Sequence, residues 1–196
     1  MAESADAASS SLILASASPR RRWLLAALGV TFTVLSVDID ERPRSGEDPA
    51  AFARRMAWEK ARGALGVHGG WVLGADTVVE LDARILGKPV DGEDAVGMLG
   101  CLSGRTHLVR TGVTLLDPSG VTAEQALVTT EVSFRPLDAA TIAAYVATGE
   151  PLDKAGAYAI QGEGAHLVDT VVGSYTNVIG LPLPEVATWL RARRLG

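Results

Sequence analysis

The stretch Leu-Ile-Leu-Ala-Ser-Ala-Ser-Pro-Arg-Arg-Arg (12–22) predicts a buried strand that leads directly into a helix. The apolar run 12–15 is typical of a strand that is covered on both faces of a sheet. Ser18 can accept a hydrogen bond from the first turn of the helix, and Pro19 suits its first position. We expect this helix to end at Gly29. A strand followed at once by a helix is the repeating step of an α/β fold.

The rest of the chain alternates between helix and strand signals in the same way. Capping residues and a proline predict helices that start at Asp48, Asp91, Asp138 and Pro184. Runs of β-favouring residues predict strands at 31–37, 71–75, 78–81, 106–116, 121–134, 157–160 and 167–172. The turn sequence Asp-Pro-Ser-Gly (117–120) joins two of these strands as a hairpin. The pattern predicts a mixed α/β sheet with a parallel core, an antiparallel hairpin region and two lobes around a cleft.

Length and composition predict one folded domain that follows a short tail. Of the 196 residues, 47% are hydrophobic and 21% are charged, which provides enough apolar material for a core. Residues 1–10 are small and polar, so we expect a disordered tail there and a single domain over 11–196. The first residues do not resemble a secretory signal, and the longest apolar run, 24–30, is too short to span a membrane.

The charge balance argues against a nucleic-acid polymer as the partner. The formal net charge is −5, whereas proteins that bind duplexes usually carry a basic excess. The single cysteine, Cys101, cannot form an internal disulfide, so we expect a reducing, cytoplasmic compartment. The composition leaves both a monomer and a homodimer open.

The start of the first predicted helix is a candidate phosphate site. Ser16 and Ser18 lie in the turn, and Arg20 and Arg21 lie in the first helical turn, where free N–H groups and the helix dipole attract anions. Cations at this end of a helix are unfavourable by themselves, so a bound anion would compensate for them. The alternative is that the arginines extend into water.

Three further charged residues are candidates for contact with an anion or a metal. Lys60 lies on an apolar helix face, where it either reaches the surface along its aliphatic stem or meets an anion in a cleft. Asp76 follows the apolar run 71–75, and the carboxyl ends of strands are where α/β sheets bind ligands. It could hold a metal, activate a water or only cap the next turn. Lys88 supplies another cation, although exposed Lys-Pro pairs are common.

Gln161 stands in the glycine-rich stretch Ala-Gly-Ala-Tyr-Ala-Ile-Gln-Gly (155–162), where a ligand can approach the backbone closely. Its amide carries both donor and acceptor atoms, which suits contact with a base edge; a tight turn with a solvated amide is the alternative. The sequence has no P-loop and no Gly-x-Gly-x-x-Gly fingerprint, and its three histidines and one cysteine are scattered. The remaining basic side chains and carboxylates suit metal-assisted phosphate chemistry.

Several short motifs follow one another along nearly the whole chain, from Leu12 to about Leu190. They are Leu-Ala-Ser-Ala-Ser-Pro-Arg-Arg (14–21), Glu-Lys-Ala (59–61), Gly-Ala-Asp-Thr (74–77), Gly-Lys-Pro (87–89), Leu-Ser-Gly-Arg-Thr-His (102–107), Tyr-x-x-x-Gly-Glu-Pro-x-Asp-Lys-Ala-Gly-x-Tyr-x-Ile-Gln-Gly (145–162) and Gly-Leu-Pro-Leu (180–183). Each motif is ordinary, but their order and spacing are specific. In this combination the chain closely resembles the Maf family of nucleoside triphosphate pyrophosphatases.

The resemblance implies a fold like that of Maf and inosine triphosphatase proteins, with a nucleotide bound in the cleft. It also implies metal-dependent hydrolysis of a nucleoside triphosphate to the monophosphate and pyrophosphate. It places the catalytic aspartate at Asp76, its acidic partner at Glu41, and catalytic lysines at Lys60 and Lys88. Asp76 and Glu41 would hold Mg²⁺, for which Mn²⁺ or Co²⁺ could substitute. Whether Asp76 is a metal ligand, a general base or both is left open.

The family motifs also suggest a substrate. Ala-Asp-Thr together with Ile-Gln-Gly marks family members that act on dTTP and UTP, and Thr77 and Gln161 have those forms here. Arg20 matches the remaining position associated with specificity. The resemblance thus implies a house-cleaning role in the nucleotide pool. The alternative is a nucleotide-sensing regulator of septum formation without significant turnover; the acidic charge balance disfavours an RNA-binding module.

Overall fold

Strands and helices alternate through residues 11–66 and 69–195, which the computed structural model describes. The tail predicted for 1–10 lies outside the described residues. None of the helices in the described part of the chain is long and apolar enough to cross a membrane. The strands are β1 (Leu12–Ala15), β2 (Phe32–Val34), β3 (Trp71–Leu81), β4 (Arg84–Leu86), β5 (Thr106–Leu116), β6 (Thr122–Phe134) and β7 (Val168–Val172). The helices are α1 (Pro19–Ala26), α2 (Pro49–Gly63), α3 (Gly92–Leu102), α4 (Ala139–Ala147), α5 (Tyr175–Ile179) and α6 (Leu183–Ala192).

One mixed sheet contains the seven strands of the described residues. Its order is β2-β1-β3-β5-β6-β7, with β4 paired to β3 outside this path. β1 runs parallel to both β2 and β3, whereas β4 is antiparallel to β3 and β7 is antiparallel to β6. The predicted sheet with a parallel core and an antiparallel region is therefore confirmed.

Four helices, α1 to α4, begin where the sequence predicts because their capping interactions are local, whereas α5 was not predicted. The side chains of Ser18, Asp48, Asp91 and Asp138 each accept a hydrogen bond from a backbone N–H in the first turn of the helix that follows. These bonds satisfy donors that have no partner inside the helix. The hydrogen bond from Thr141 N is the main reason why the pKa of the Asp138 carboxyl lies below its usual value.

Several predicted boundaries are wrong. α1 ends at Ala26, and the chain then forms turns up to Gly29, which has a φ of 74°. β2 is shorter than the predicted 31–37, and the two strands predicted between 71 and 81 form the single strand β3. The segment 157–160 is not a strand, because Ala157 has a φ of 58° and the chain there follows a short 3₁₀ helix.

The described residues divide into two compact units. The first comprises the residues up to Asp76, Thr111–Val128 and the chain from Gly180 onward; the second comprises Thr77–Arg110 and Thr129–Ile179. The single domain predicted for 11–196 and the nucleotide cleft between two lobes stay predictions.

Each unit has an apolar core of its own. In the first unit the core is built from β1, α2 and β3, and a contiguous cluster comprises Ile13, Ala15, Ala61, Ala64, Val72 and Leu116. In the second unit the core lies around α3, α4 and the antiparallel strands. There the rings of His107, Phe134 and Tyr158 meet edge to face, with centroids 4.8 to 5.3 Å apart. Burial lowers the pKa of His107 to about 4, so the ring is neutral in this core.

Helix α2 lies directly on β3 because glycine and alanine meet at the contact. A Cβ atom added to Gly74 would lie 2.7 Å from Ala61 N and 2.8 Å from Ala61 Cβ. Real Cβ atoms do not approach other atoms so closely, so only glycine fits at this point of the strand. The contact fixes the distance between α2 and β3 just before Asp76.

We expect Gly74→Ala to lower the free energy of unfolding by about 1–3 kcal/mol, because the added methyl group must push α2 away from β3. Gly100→Ala is the matched control, since an added Cβ there meets nothing within 4 Å in α3. That variant should be more stable by about 0.5–1 kcal/mol, as alanine is the better helix former. Urea denaturation of both variants measures the difference, and equal stabilities would contradict the close contact.

Candidate active site

A lysine joins two carboxylates inside the first unit. Lys60 Nζ lies 2.6 Å from Asp76 Oδ1 and 2.9 Å from Glu41 Oε1. Only 8% of Lys60 and 8% of Asp76 is exposed, whereas Glu41 is an exposed residue. The structure thus brings three of the four residues predicted to be catalytic into one ion cluster.

Lys60 belongs to the buried face of α2. Met56 precedes it by one helical turn, Ala64 follows it by one turn, and both are fully buried. An ammonium group in such a position costs free energy unless partners replace its lost hydration. Asp76 and Glu41 are those partners. The alternative in which Lys60 reaches the surface along its stem is therefore wrong.

Asp76 lies inside β3 rather than after its end, which corrects the sequence prediction. β3 continues to Leu81, but its parallel partner β1 stops earlier: Ala15, the last residue of β1, is paired with Gly74. Asp76 therefore stands just beyond the carboxyl end of β1. This edge of a parallel sheet is where α/β proteins bind ligands, so the reasoning that selected Asp76 holds although the strand boundary was wrong.

The loop that carries Glu41 is fastened to α2 by Arg55. The guanidinium of Arg55 donates to both oxygens of Glu47 at 2.6 Å and to the backbone oxygen of Arg42 at 3.1 Å. It also donates to Glu59 Oε2 at 3.2 Å on the same helix. The hydrogen bond from Arg55 is the largest cause that lowers the pKa of Glu47, to about 2. Arg55 and Lys60 thus hold the same loop from one helix, and the sequence analysis missed Arg55.

The turn between β1 and α1 is built around Ser16 and Arg21. Ser18 N donates to Ser16 Oγ at 3.2 Å, and Arg21 Nη1 donates to the same oxygen at 3.3 Å. Arg21 Nε donates to Gly180 O at 2.8 Å. The predicted alternative in which the arginines extend into water is therefore wrong for Arg21, of which only 9% is exposed.

The charges of the ion cluster also affect the pKa of Arg21. Burial lowers the pKa of its guanidinium; the charges of Asp76 and Glu41 oppose this decrease, and Arg20 adds to it. Arginine nevertheless stays protonated in proteins. Together Lys60 and Arg21 carry as many positive charges as the two carboxylates carry negative ones.

A small pocket opens beside this cluster, within the first unit. Its lining residues are Ala15, Ser16, Ala17, Ser36, Val37, Glu41 and Lys60. The sequence analysis missed Ser36 and Val37. They follow β2, which runs parallel to β1, and neighbouring parallel strands end at the same edge of a sheet. Their position at the end of the predicted strand 31–37 could have identified Ser36 and Val37 as candidate site residues.

The other predicted site residues are divided between the two units. Arg20 is half-buried in the first turn of α1. Thr77 follows Asp76 in β3, is half-buried and belongs to the second unit, as do Lys88 and Gln161. Lys88 is exposed in the segment between β4 and α3, and Gln161 is half-buried just before the 3₁₀ helix Gly162–Leu167. Their participation in the site stays a prediction.

The donor set at Lys60 fits a hard divalent cation. Asp76 and Glu41 present carboxylate oxygens within 2.9 Å of one nitrogen, so the two side chains already surround a positive charge. Mg²⁺ is usually bound by one or two carboxylates that are completed by water and substrate phosphate oxygens. A larger protein cage is not found: residues 11–66 and 69–195 contain no group of three or more His, Cys, Asp or Glu side chains that could hold a metal.

Known proteins with similar sequences cover almost all of this chain. The dTTP/UTP pyrophosphatase of Myxococcus xanthus (strain DK1622) is 54% identical over 180 residues, which are 91% of this chain and 90% of that protein. The dTTP/UTP pyrophosphatase of Geobacter sulfurreducens (strain ATCC 51573 / DSM 12127 / PCA) is 53% identical over 181 residues, 92% of this chain and 95% of that protein.

Solved structures confirm the fold type that the resemblance implied. The Staphylococcus aureus Ham1 protein matches 93% of this chain and 99% of its own with a TM-score of 0.56 at 13% identity. A HAM1 protein from Coxiella burnetii matches 93% of this chain and 98% of its own with a TM-score of 0.54 at 17% identity. Such low identities establish a shared fold and nothing further. The family model described as "Maf-like protein" matches residues 11–193, and this chain therefore belongs to the Maf family.

Proposed function

We propose that this protein hydrolyses dTTP and UTP to the monophosphate and pyrophosphate. The observation that carries the proposal is the convergence of Asp76 and Glu41 on Lys60 at the end of β1. Relatives more than half identical over nine-tenths of both chains are named dTTP/UTP pyrophosphatases, which supports the same assignment. The reaction consumes one water, breaks the anhydride bond between the α- and β-phosphates and releases a proton.

The charges of the cluster indicate that triphosphate binding requires a further cation. A triphosphate is strongly anionic, and two carboxylates beside it would repel it unless positive charge outweighs them. Lys60 and Arg21 only balance Asp76 and Glu41. Arg20 and Lys88 are the further cations that we assign to the phosphates, and the Ser16–Ser18 turn is the segment that we assign to phosphate binding at the start of α1.

We assign a divalent metal to Asp76 and Glu41, with Mg²⁺ or Mn²⁺ as the expected ion and Co²⁺ as a substitute. When bound there, such an ion would supply positive charge that favours ionisation of a bound water and offsets the charge of the departing pyrophosphate. Asp76 would orient the attacking water, and its carboxylate can take the proton that the water loses. Lys60 would hold both carboxylates in place and donate hydrogen bonds to phosphate oxygens.

We assign recognition of the base to Gln161 and Thr77, with Arg20 as the remaining specificity residue. Uracil and thymine present two carbonyl acceptors on either side of an N3–H donor. A primary amide can satisfy one acceptor and the donor at the same time. Cytosine has an acceptor at N3 and an amine in place of one carbonyl, so the same amide would face mismatched groups.

The rival function is a nucleotide sensor without turnover. A sensor would need the phosphate-binding turn but not the hydrolytic carboxylates. Asp76, Glu41 and Lys60 are all present and in contact, and the relatives above bear the names of hydrolases, so this alternative is not favoured. A cytoplasmic location and a choice between monomer and homodimer remain parts of the proposal; the single cysteine supports the location.

We expect Asp76→Asn to fold and to lose about 10²-fold or more in kcat, because an amide binds metal poorly and cannot take a proton. Lys60 keeps Glu41 as its charged partner in this variant, so the effect on stability should be mild. Asp169→Asn, which changes an exposed aspartate on β7, is the matched control. Pyrophosphate release from UTP with Mg²⁺ or Mn²⁺ measures the difference, and near-normal kcat in folded Asp76→Asn would remove Asp76 from the mechanism.

Lys60→Met should weaken nucleotide binding by about 1.5–3 kcal/mol, because a charge-assisted contact to phosphate is lost. Calorimetric titration with a non-hydrolysable UTP analogue measures this loss. Lys60→Arg is the comparison variant, since it keeps the charge in a different shape. Unchanged affinity in Lys60→Met would restrict Lys60 to holding the two carboxylates.

UTP and dTTP should be the best substrates, with CTP and 7-methyl-GTP clearly poorer. A buried polar group without a partner costs roughly 1–3 kcal/mol, which corresponds to about 5- to 150-fold in kcat/KM. Gln161→Glu should lower the use of UTP and dTTP more than it changes the metal dependence. Competition between UTP and CTP in one reaction measures the ratio directly. Similar kcat/KM values for UTP and CTP would contradict the role of Gln161 and leave the pyrophosphatase proposal standing.

A further inference from the structure

A tyrosine and a glutamate enclose the segment that carries Gln161. Tyr145, on α4, is 2% exposed, and its hydroxyl donates to Glu150 Oε1 at 2.9 Å. The same hydroxyl accepts a hydrogen bond from Ala159 N at 3.1 Å. The other end of the segment is held by Glu150, which accepts bonds from Glu163 N and Gly164 N, both at 3.1 Å. The connected pair Tyr145 and Glu150 is called the Tyr–Glu clamp below.

The segment 159–164 is shaped to fit against this clamp. Gly162 has a φ of 76°, and a Cβ atom there would lie 2.5 Å from Glu150 Oε2. A Cβ atom on Gly164 would lie 2.6 Å from Tyr145 Oη. Only glycine permits such close approach of the backbone to the two side chains. The clamp therefore fixes the backbone on both sides of Gln161.

The amide of Gln161 is left available by this arrangement. Its backbone precedes the 3₁₀ helix Gly162–Leu167, but its side chain does not cap that helix. Ile160, its neighbour, accepts a bond from Tyr175 Oη at 3.4 Å. The backbone is thus tied at several points while the half-buried amide can turn towards a ligand. Fixing the backbone in advance reduces the entropy that would be lost when the amide binds.

The electrostatics of Glu150 are consistent with a fixed carboxylate. Burial is the largest influence and raises the pKa of this carboxyl, but the hydrogen bonds from Gly164 N, Glu163 N and Tyr145 Oη and the charge of Lys154 lower it, so the pKa lies below the usual value. Hydrogen bonds to an ionised acceptor are stronger than those to a neutral one. An amide in place of the carboxylate removes the charge, and its NH2 group cannot accept the hydrogen bond that a carboxylate oxygen accepts at the same position.

We propose that Tyr145 and Glu150 are positioning residues for base selection: they hold the segment 159–164 so that the amide of Gln161 meets the edge of a uracil or thymine ring. The inference rests on the proposed function and deepens it, since it assigns discrimination between UTP and CTP to two residues that do not touch the base. Loss of the clamp would let the segment move. The amide would then adapt to either pyrimidine, and the preference would fall.

The test compares UTP with CTP in four variants. Tyr145→Phe keeps the buried ring and removes only the shared hydroxyl, and Glu150→Gln keeps the shape and removes the charge. Tyr158→Phe is the control for the first, because Tyr158 is also a buried residue and its hydroxyl bonds His107 Nε2 at 2.8 Å and not the segment. Glu163→Gln is the control for the second, because its carboxylate is exposed.

We expect the ratio of kcat/KM for UTP to that for CTP to fall at least about fivefold in Tyr145→Phe and Glu150→Gln, mainly through a higher KM for UTP. Both controls should keep the wild-type ratio. The amides of Ala159, Glu163 and Gly164 should exchange hydrogen faster in the two clamp variants, which shows that the segment has been released in a folded protein.

The outcomes separate the inference from the proposed function. A wild-type protein that releases no pyrophosphate from UTP overturns the proposed function and the inference with it. A wild-type protein that prefers UTP, together with an unchanged ratio in folded Tyr145→Phe, overturns the inference alone. If Glu150→Gln does not fold, Tyr145→Phe decides, because its ring still fills the core.

Discussion

The ion cluster of Lys60 with Asp76 and Glu41 is the interaction on which the architecture of the first unit depends. A buried ammonium without partners would be strongly unfavourable, and so would a buried aspartate. The two buried charges, Lys60 and Asp76, are tolerated because the helix and the strand place them within hydrogen-bond distance, and the loop adds the half-exposed Glu41 as a second partner of Lys60. The requirement couples three segments that are far apart in sequence, and it explains why a lysine can occupy the apolar face of α2.

The loop that carries Glu41 is the least buried part of this cluster. A second ion pair, between Arg55 and Glu47, also holds this loop on α2. Arg55 binds Glu47 and the backbone of Arg42 from the same helix that supplies Lys60. Half of the Glu41 side chain is exposed, so Lys60 alone would hold the loop weakly. With Arg55, the loop has two points of attachment one and a half turns apart on a rigid element.

The parts of the structure that could be predicted from the sequence depend on local interactions. Helix starts at Asp48, Asp91 and Asp138 follow from side chains that bond their own first turn. The erroneous strand at 157–160 shows the limit: its apolar residues suggest a strand, but Ala157 has a left-handed backbone and is buried in the core of the second unit, among residues distant in sequence.

The candidate site shows the same division between local and distant interactions. Asp76 could be selected from the apolar run 71–75 that precedes it, whereas Glu41 came only from the resemblance to a family. No local sequence pattern indicates that the loop with Glu41 will fold back onto α2. Lys60 was ambiguous for a related reason, since the apolar stripe around it is equally compatible with a lysine that reaches the surface. Its partners decide between the two, and they are not adjacent in sequence.

The contact between Gly74 and Ala61 has a consequence for how this protein can change over evolutionary time. Gly74, which lets α2 lie on β3, is two positions before Asp76. Ala61, which it contacts, directly follows Lys60. A mutation that enlarges either side chain pushes α2 away from β3, and so it separates Lys60 on the helix from Asp76 on the strand. Packing and chemistry are therefore not separable traits in this region. Sequence variation should be narrow here even at positions that never meet a substrate, and laboratory evolution for heat resistance should find its improvements elsewhere in the chain.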